Sequence, residues 1–289
     1  MNKKFTVRIA DIVFELEGYE DSHTKEVFAP YLCESEKIDF KIKYFLTQSP
    51  IPPAEGKRLT ERFSCNWYTT AEGCYTMIFT EPDEDFICAR VDYCNADSEA
   101  RVVLLDVAAL YGTDDRVFLL NVLERVFRLA LIYNGGFTVH ASSVICDGFG
   151  VAFSAPSGTG KSTHTALWLE QYTGAYILND DAPAVRKKDG IWHIYGTPWA
   201  GSTGINQNSE APLKGLVFLE RSDKNTIRSM SALESINLLF EAIMHPVSDE
   251  LMTIILSSVS SFMSESVICK LGCTISPEAP KVVKEFLYK

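Results

Sequence analysis

The sequence predicts a protein of the α/β class. More specifically, we expect an α+β arrangement with a mixed sheet, and a β-rich N-terminal domain. Residues 5–105 contain several runs in which apolar and polar residues alternate with period two, as in half-buried strands. After Asp114 apolar residues recur at helical spacing, and strands then alternate with helices. At 151–163 an apolar strand leads through a glycine-bearing loop into a helix. We therefore predict a β-rich domain at 1–112 and a second domain at 113–289.

The N-terminal region is predicted to be a β-meander or a sandwich. Its strand candidates are 5–16, 39–46, 75–80, 86–91 and 101–105, with a loop at 50–56. Aromatic residues such as Trp67 are expected in its core or at an interface. The region contains no recognisable chemical motif.

The second domain begins with a helix at 115–133, whose apolar residues form a broad stripe and which ends at Asn134-Gly135-Gly136. Later helices are predicted at 161–172, 231–245 with Ser231 as its cap, 248–266 and 277–288. Strands are predicted at 138–146, 151–154, 175–181, 184–186, 192–195, 213–219 and 267–273. Glycine-bearing segments at 147–150 and 188–190 predict hairpin turns, and 196–209 predicts a loop.

Composition and charge exclude several classes of protein. The chain has 289 residues, 46% of them hydrophobic, and a net charge of −11, which argues against nucleic-acid or anionic-membrane partners. Arg8 and Asp11 interrupt the apolar N-terminal run, and no 18-residue apolar stretch occurs, so we expect a cytoplasmic protein without a membrane span. The eight cysteines lack a Cys-x-x-Cys pair and zinc spacing, which predicts reduced thiols.

The segment between 155 and 162 matches the phosphate-binding loop (P-loop) pattern, except that alanine replaces its first glycine. Gly158 and Gly160 allow the backbone to curl so that successive N–H groups face one anion, at the positive end of the following helix. Lys161 can reach the β- and γ-phosphates of a nucleotide, and the Ser162 hydroxyl can ligate Mg²⁺. The predicted nucleotide-binding residues are Ala155, Pro156, Ser157, Gly158, Thr159, Gly160, Lys161, Ser162 and Thr163.

Two acidic residues, Asp180 and Asp181, end an apolar strand about twenty residues after the loop lysine. Beside a phosphate loop, one carboxylate can hold Mg²⁺ while the other accepts the proton of an attacking hydroxyl. A solvated turn or a helix cap is the alternative interpretation of the pair.

This combination resembles the HPr kinase/phosphorylase family and its relative, the ATP-type phosphoenolpyruvate (PEP) carboxykinases. The matching residues are His140-Ala-Ser-Ser-Val144, the loop 155–162 and Leu178-Asn-Asp-Asp181, within roughly 138–200. The resemblance implies a P-loop core reached from a hairpin, with helices packed on the sheet. It implies that His140 lies near the transferred phosphate and that Lys161 binds it. It also implies Ser162 and Asp181 as metal ligands and Asp180 as the base, with Asp181 able to exchange that role.

One departure from the family concerns the acceptor. Where HPr kinases have Glu-x-Arg-Gly, this chain has His193-Ile-Tyr-Gly196, so we expect a different acceptor.

The predicted function is transfer of the γ-phosphate of ATP, with Mg²⁺, to a hydroxyl of a protein, a peptide or a small molecule. The predicted partners are the nucleotide and this acceptor. The sequence allows a homo-oligomer but does not decide the oligomeric state. A PEP carboxykinase-type enzyme and a non-catalytic nucleotide-binding regulatory protein are the alternatives.

Three further side chains are open to two interpretations. His164 can approach the nucleotide or pack within its helix, and Lys214 can reach a phosphate or lie in solvent. The loop around Trp199 can cover the acceptor or form a structural turn.

Overall fold

The computed structural model describes residues 3–19, 21–62, 65–80, 86–106, 109, 116–156, 158–243 and 247–288. The fold is mixed α+β, as predicted, with mixed sheets and six helices among the described residues. The chain divides into two compact units, Met1–Tyr133 with Pro246–Thr253, and Asn134–His245 with Ile254–Lys289. The predicted domain boundary at 112/113 lies outside the described residues and stays a prediction.

The first unit contains an eight-stranded sheet in the order β1-β2-β3-β8-β7-β6-β5-β4. Its strands are β1 (Lys3–Ile9), β2 (Ile12–Gly18), β3 (Phe40–Thr47), β4 (Lys57–Arg62), β5 (Cys65–Ala71), β6 (Cys74–Thr80), β7 (Ile87–Cys94) and β8 (Glu99–Leu105). Strands β4 to β8 form the predicted meander. Strands β2, β3 and β8 pair in parallel, so the described strands make one mixed sheet rather than a sandwich.

Helices α1 (Ser22–Phe28) and α2 (Arg116–Tyr133) also belong to the first unit, and a 3₁₀ turn follows α1 at Ala29–Tyr31. The rings of Phe14 on β2 and Phe127 on α2 lie 5.8 Å apart, and Trp67 is fully buried, as expected for a core residue. The Glu250 carboxylate accepts hydrogen bonds from the Tyr133 and Tyr75 hydroxyls at 2.6 and 3.0 Å. These contacts attach the segment 247–253 to the rest of the unit.

Two predictions about the first unit are wrong. The run 5–16 is a hairpin rather than one strand, because Ala10 and Asp11 adopt φ values of 51° and 59° and reverse the chain. Cys74 and Cys94 form a disulfide, whereas all eight thiols were expected to be reduced. The two cysteines lie directly opposite each other on β6 and β7, with their Cα atoms 4.2 Å apart.

The second unit is built on a nine-stranded sheet. Its strands are β9 (Phe137–Thr138), β10 (Ser142–Cys146), β11 (Phe149–Ser154), β12 (Tyr176–Asn179), β13 (Ala184–Lys188), β14 (Ile191–Tyr195), β15 (Glu210–Arg221), β16 (Thr226–Ser229) and β17 (Val267–Cys273). The order is β12-β10-β11-β15-β14-β13-β9, and β17 pairs with both β15 and β16. At its centre β11, β15 and β17 run in parallel, so their carboxyl ends meet at one edge.

Four helices follow in the chain: α3 (Lys161–Gln171), α4 (Ala232–Ala242), α5 (Asp249–Glu265) and α6 (Glu278–Leu287), with a 3₁₀ turn at Gly201–Thr203. Residues 249–253 of α5 belong to the first unit and the rest of these helices to the second. The Ser231 hydroxyl caps α4 by accepting from the Glu234 N–H, as predicted. Trp168 of α3 and Val283 and Leu287 of α6 join the apolar core on the sheet, which fixes the position of α3. Within the described residues, no helix is both long and apolar enough to cross a membrane.

Candidate functional site

The loop between β11 and α3 has the backbone conformation that its glycines allow. Gly158 and Gly160 have φ values of 75° and 113°, in the left-handed region that side-chain-bearing residues rarely adopt. Among the described residues, no side chain caps the first turn of α3, so its N–H groups are available to an anion. Ser157, predicted to bind the nucleotide, lies outside the described residues.

The alanine that departs from the loop pattern has a packing role. Ala155 is 7% exposed and belongs to the apolar core of the sheet, and its carbonyl accepts from the Lys161 ammonium at 2.9 Å. A methyl group at this position therefore fills core space without obstructing the loop.

Lys161 and His140 contact each other at the mouth of the loop, with Nζ 3.0 Å from Nε2. Burial lowers the pKa of Lys161, and the nearby carboxylates of Asp181 and Asp180 oppose this shift. The other ring nitrogen of His140, Nδ1, lies 3.1 Å from Asp181 Oδ1. An ammonium at Lys161 requires Nε2 to accept, which places the imidazole proton on Nδ1, facing the carboxylate.

His140 reaches this position because the predicted strand 138–146 is interrupted. It consists of β9 and β10, with residues 139–141 between them outside either strand. The backbone N–H of His140 donates to Ala242 O at 2.7 Å, and its carbonyl accepts from Ser154 Oγ at 2.8 Å. These bonds hold the backbone, while the side chain stays half-exposed beside the loop.

Asp180 is buried, with an exposed fraction of 7%. Its Oδ2 accepts from Ser162 Oγ at 3.0 Å, and its Oδ1 accepts from Ser142 Oγ. Ser142 in turn pairs with Thr165 Oγ1 at 3.0 Å. A hydroxyl network therefore satisfies the buried carboxylate and fixes it against the start of α3.

Asn179 orients the two acids and was missed in the sequence. Its Oδ1 accepts from the N–H groups of Asp181 and Ala182 at 3.0 and 2.8 Å, which makes the tight turn after β12. Its Nδ2 donates to the carbonyls of Thr197 and Trp199 at 2.9 and 3.1 Å. The turn directs Asp180 toward Ser162 and Asp181 toward His140, and it ties the loop 196–209 to the strand end.

One cavity of about 350 Å³ collects most of the predicted site. All four predicted catalytic residues line it: His140, Lys161, Asp180 and Asp181. The loop contributes Gly158, Gly160, Ser162 and Thr163, and the opposite wall is the segment 200–203. Ala155, Pro156 and Thr159 line neighbouring cavities instead.

Arg221, at the carboxyl end of β15, is a second residue that was missed. Its guanidinium donates to the carbonyl of Gly158 at 2.7 Å, so a cation of the adjacent strand contacts the loop. The sequence signal for it was an Arg directly after the apolar strand 213–219, at the edge where parallel strands end.

The three residues left open by the sequence are now placed. His164 is 3% exposed, packs on Phe153 with ring centres 4.5 Å apart, and accepts from Trp168 Nε1 at 3.3 Å. Lys214 lies 4.1 Å over the Phe149 ring, at the opposite end of β11 from the loop. The side chain of Trp199 is buried, and it is the neighbouring residues 200–203 that line the cavity with the acids.

The oxygen donors around the loop fit a magnesium ion. A hydroxyl at Ser162 and carboxylates at Asp180 and Asp181 are hard ligands, and Mg²⁺ on a nucleotide needs only one or two carboxylates besides phosphates and water. The described residues contain no cluster of three or more His, Cys, Asp or Glu side chains that could hold a metal ion by themselves.

Comparison with known proteins leaves the family open. No protein-family model matches the chain, and no curated protein matches it. Among solved structures, it is similar to the HPr(Ser) kinase/phosphatase from Coxiella burnetii, with 13% identity over 52% of this chain and 95% of that one. The TM-score of this similarity is 0.31, which is too low to carry an argument about fold or function.

Proposed function

We propose that this chain is an ATP- and Mg²⁺-dependent phosphotransferase with an HPr-kinase-like P-loop core. In this proposal it transfers the γ-phosphate to a hydroxyl of a protein, a peptide or a small molecule. The observation that supports it best is the convergence of two acids and a lysine on one cavity at the start of a helix. Ser162 Oγ lies 3.0 Å from Asp180, and His140 lies within 3.1 Å of both Lys161 and Asp181.

The loop handles the donor in this proposal. The uncapped N–H groups of α3 and the curled backbone at Gly158 and Gly160 bind the phosphate chain. The Lys161 ammonium donates to the β- and γ-phosphates from its position over the loop. Ser162 and one carboxylate would hold Mg²⁺, which neutralises charge on the phosphates when it is bound.

The geometry favours the exchanged roles of the two acids. Ser162 lies against Asp180, which is buried, so we assign these two as the metal ligands. The Asp181 side chain is 37% exposed and its Oδ1 lies 3.1 Å from His140 Nδ1, so we assign it as the base and His140 as the residue that orients it. The acceptor hydroxyl gives its proton to Asp181 while its oxygen bonds to the γ-phosphorus. The bond from that phosphorus to the β–γ bridging oxygen breaks, and ADP leaves.

The test is phosphate transfer from γ-labelled ATP with Mg²⁺, using the full chain and an extract of the source cells as the acceptor pool. Lys161→Ala should abolish transfer and weaken ATP binding in calorimetry, with an unchanged circular-dichroism melt, because Lys161 supplies charge to the ligand rather than to the core. Lys214→Ala is the matched control, since Lys214 lies at the far end of β11. Unchanged ATP binding and turnover in Lys161→Ala would refute the proposal. Binding without transfer to any acceptor would favour a non-catalytic nucleotide-binding protein.

A further inference from the structure

A second cavity, of about 480 Å³, opens beside the same loop. It shares Gly158, Gly160 and Thr163 with the cavity that contains the acids, so a chain of phosphates on the loop can reach both. Its remaining walls come from α3, from the end of β15 and from the segment that follows β17. The two cavities therefore adjoin the same loop backbone and differ in their remaining walls.

The charges of the two cavities differ. Asp180 and Asp181 line the first, whereas none of the described residues around the second is acidic. The cation in the second cavity is Arg221, whose guanidinium donates to the Gly158 carbonyl. His164 also lines it, and burial lowers its pKa to about 4, so it is neutral at physiological pH.

The second cavity also has apolar walls. Leu167 of α3 is half-buried, and Ile275, between β17 and α6, is 82% exposed. Ile275 therefore contributes little to the core, and its apolar surface faces the cavity and solvent. A flat, neutral ring placed there would remove this surface from water.

We infer that this second cavity binds the nucleobase and ribose of the nucleotide, with Ile275 and Leu167 contacting the base. Arg221 lies where the nucleoside joins the phosphates on the loop. The inference rests on the proposed function, because it takes the phosphate chain to lie on the loop with its γ end facing the acids. If the γ-phosphate faces the two acids, the nucleoside at the other end of the phosphate chain lies beside the loop in the cavity without carboxylates.

A third cavity beside the loop, of about 620 Å³, is the competing location. It shares Arg221 with the second cavity, and it is also lined by Pro156, by Leu238 of α4 and by Lys270 and Glu220, which form an ion pair. An uncharged base would have to pack against this hydrated pair, so the cavity around Ile275 suits it better. Leu238 gives a matched control, since it is an aliphatic residue on the wall of the competing cavity.

The experiment compares Mg-ATP with Mg-tripolyphosphate, which has the phosphates but no nucleoside, by calorimetry on the full chain. Ile275→Ala should raise the Kd for ATP about threefold to tenfold and leave that for tripolyphosphate within about twofold, because only apolar contact is lost. Leu238→Ala should change neither. The exposure of Ile275 makes a folding defect in the variant unexpected, and a thermal melt checks this.

The outcomes separate the two proposals. If wild-type protein binds both ligands and Ile275→Ala leaves both unchanged, or weakens both equally, the nucleoside does not lie in this cavity. If Leu238→Ala alone weakens ATP, the nucleoside lies in the third cavity and the inference is wrong. If wild-type protein binds neither ligand, the proposed function itself fails.

Discussion

Asp180 and Asp181 are neighbours in sequence, yet they have different surroundings. Asp180 is 7% exposed and surrounded by hydroxyls from α3 and β10, whereas Asp181 is more exposed and contacts an imidazole. A buried carboxylate beside a loop serine is suited to hold a metal on bound phosphate, and a more exposed one is suited to meet a second substrate. The sequence predicted the pair from its position at a strand end, but it could not show which carboxylate faces Ser162.

Substitution of each acid by its amide tests this assignment. We expect Asp180→Asn to raise the Mg²⁺ concentration needed for half-maximal transfer, because a metal ligand loses its charge. Asp181→Asn should instead lower kcat by about 10²- to 10⁴-fold at saturating Mg²⁺, because the proton acceptor is lost. Steady-state rates over a Mg²⁺ titration measure both effects. If Asp181→Asn instead changes the Mg²⁺ requirement and Asp180→Asn lowers kcat, the sequence-based assignment of the two roles is correct. If both variants keep wild-type rates, the two acids have only a structural role in the turn.

His164 predicts a pH-dependent stability. Burial lowers its pKa from 6.5 to about 4, so between these values the unfolded chain binds a proton that the folded chain does not. The full contribution, about 3 kcal/mol, is present above pH 6.5 and is lost as the pH falls toward 4. Protonation would also remove the acceptor that Trp168 Nε1 uses.

We therefore expect His164→Gln to unfold with a weaker pH dependence than wild-type protein. The difference in unfolding free energy between about pH 7.5 and about pH 4.5 should shrink by about 2 to 3 kcal/mol. Urea titrations at the two pH values measure it, and His193→Gln, at a half-exposed position on β14, is the control. If the free energy of unfolding depends equally on pH in His164→Gln and in wild-type protein, a group other than His164 causes this dependence.

Asn179 and Arg221, the two site residues that were missed in the sequence, make contacts with residues that are distant in the chain and meet only in the folded protein. Asn179 is the residue before the acids, but its amide contacts Thr197 and Trp199, eighteen and twenty residues later in the chain. Arg221 contacts Gly158 across 63 residues. Lys161, Ser162 and the two acids could be identified from residue types at short, fixed spacings in the sequence. The longer-range contacts of Asn179 and Arg221 depend on the order of the strands in the sheet.

At the scale of elements, one left-handed glycine directly precedes α3 and another lies three residues beyond its last residue, Gln171. Gly160 begins it with φ 113°, and Gly174 follows it with φ 83°. A Cβ at Gly174 would meet nothing within 4 Å, and one at Gly160 would meet only Thr163 Cβ, at 4.0 Å. Replacement by alanine therefore strains the backbone at both positions without a steric clash.

We expect Gly160→Ala and Gly174→Ala each to lower the free energy of unfolding by about 1 to 2 kcal/mol, the cost of a left-handed alanine. Only Gly160→Ala should also weaken ATP binding, because its backbone lies in the loop. Denaturant unfolding and calorimetry on both variants separate the two effects. Equal loss of ATP affinity in Gly174→Ala would show that the stability of α3, and not the loop, controls binding.

The elements that the sequence predicted are those with strong local signals. The hairpins turned at Asp147-Gly148 and Asp189-Gly190 were predicted, because Asp-Gly accepts the positive φ values seen there. The turn at Ala10-Asp11 has the same conformation without a glycine, and it was missed. Strands β4, β5 and β16 and helix α1 were also missed. Strands β4 and β16 are polar and largely exposed, so they lack the alternation that marks a half-buried strand.

At the scale of the whole molecule, charge limits the acceptor. The net charge of −11 repels polyanions, and the cavity with the proposed base adds two carboxylates to this field. The wall opposite the loop is the segment 200–203, which the turn at Asn179 holds in place. A hydroxyl acceptor that approaches along this wall need not carry negative charge, whereas a nucleic acid would be repelled by the net negative charge of the chain.

We therefore expect labelled ATP to place phosphate on a protein, a peptide or a small hydroxyl compound in an extract of the source cells, and not on nucleic acid. Asp181→Asn is the matched control, because it should bind ATP and leave the acceptor unlabelled. Digestion of the labelled products with protease or with nuclease identifies their class, and acid hydrolysis should release phosphoserine or phosphothreonine from a protein acceptor. Label that nuclease alone removes would overturn the acceptor class. In the proposed arrangement, with the donor on the loop and the acceptor along 200–203, Ser202→Trp should raise the KM for the acceptor several-fold with little change in ATP affinity.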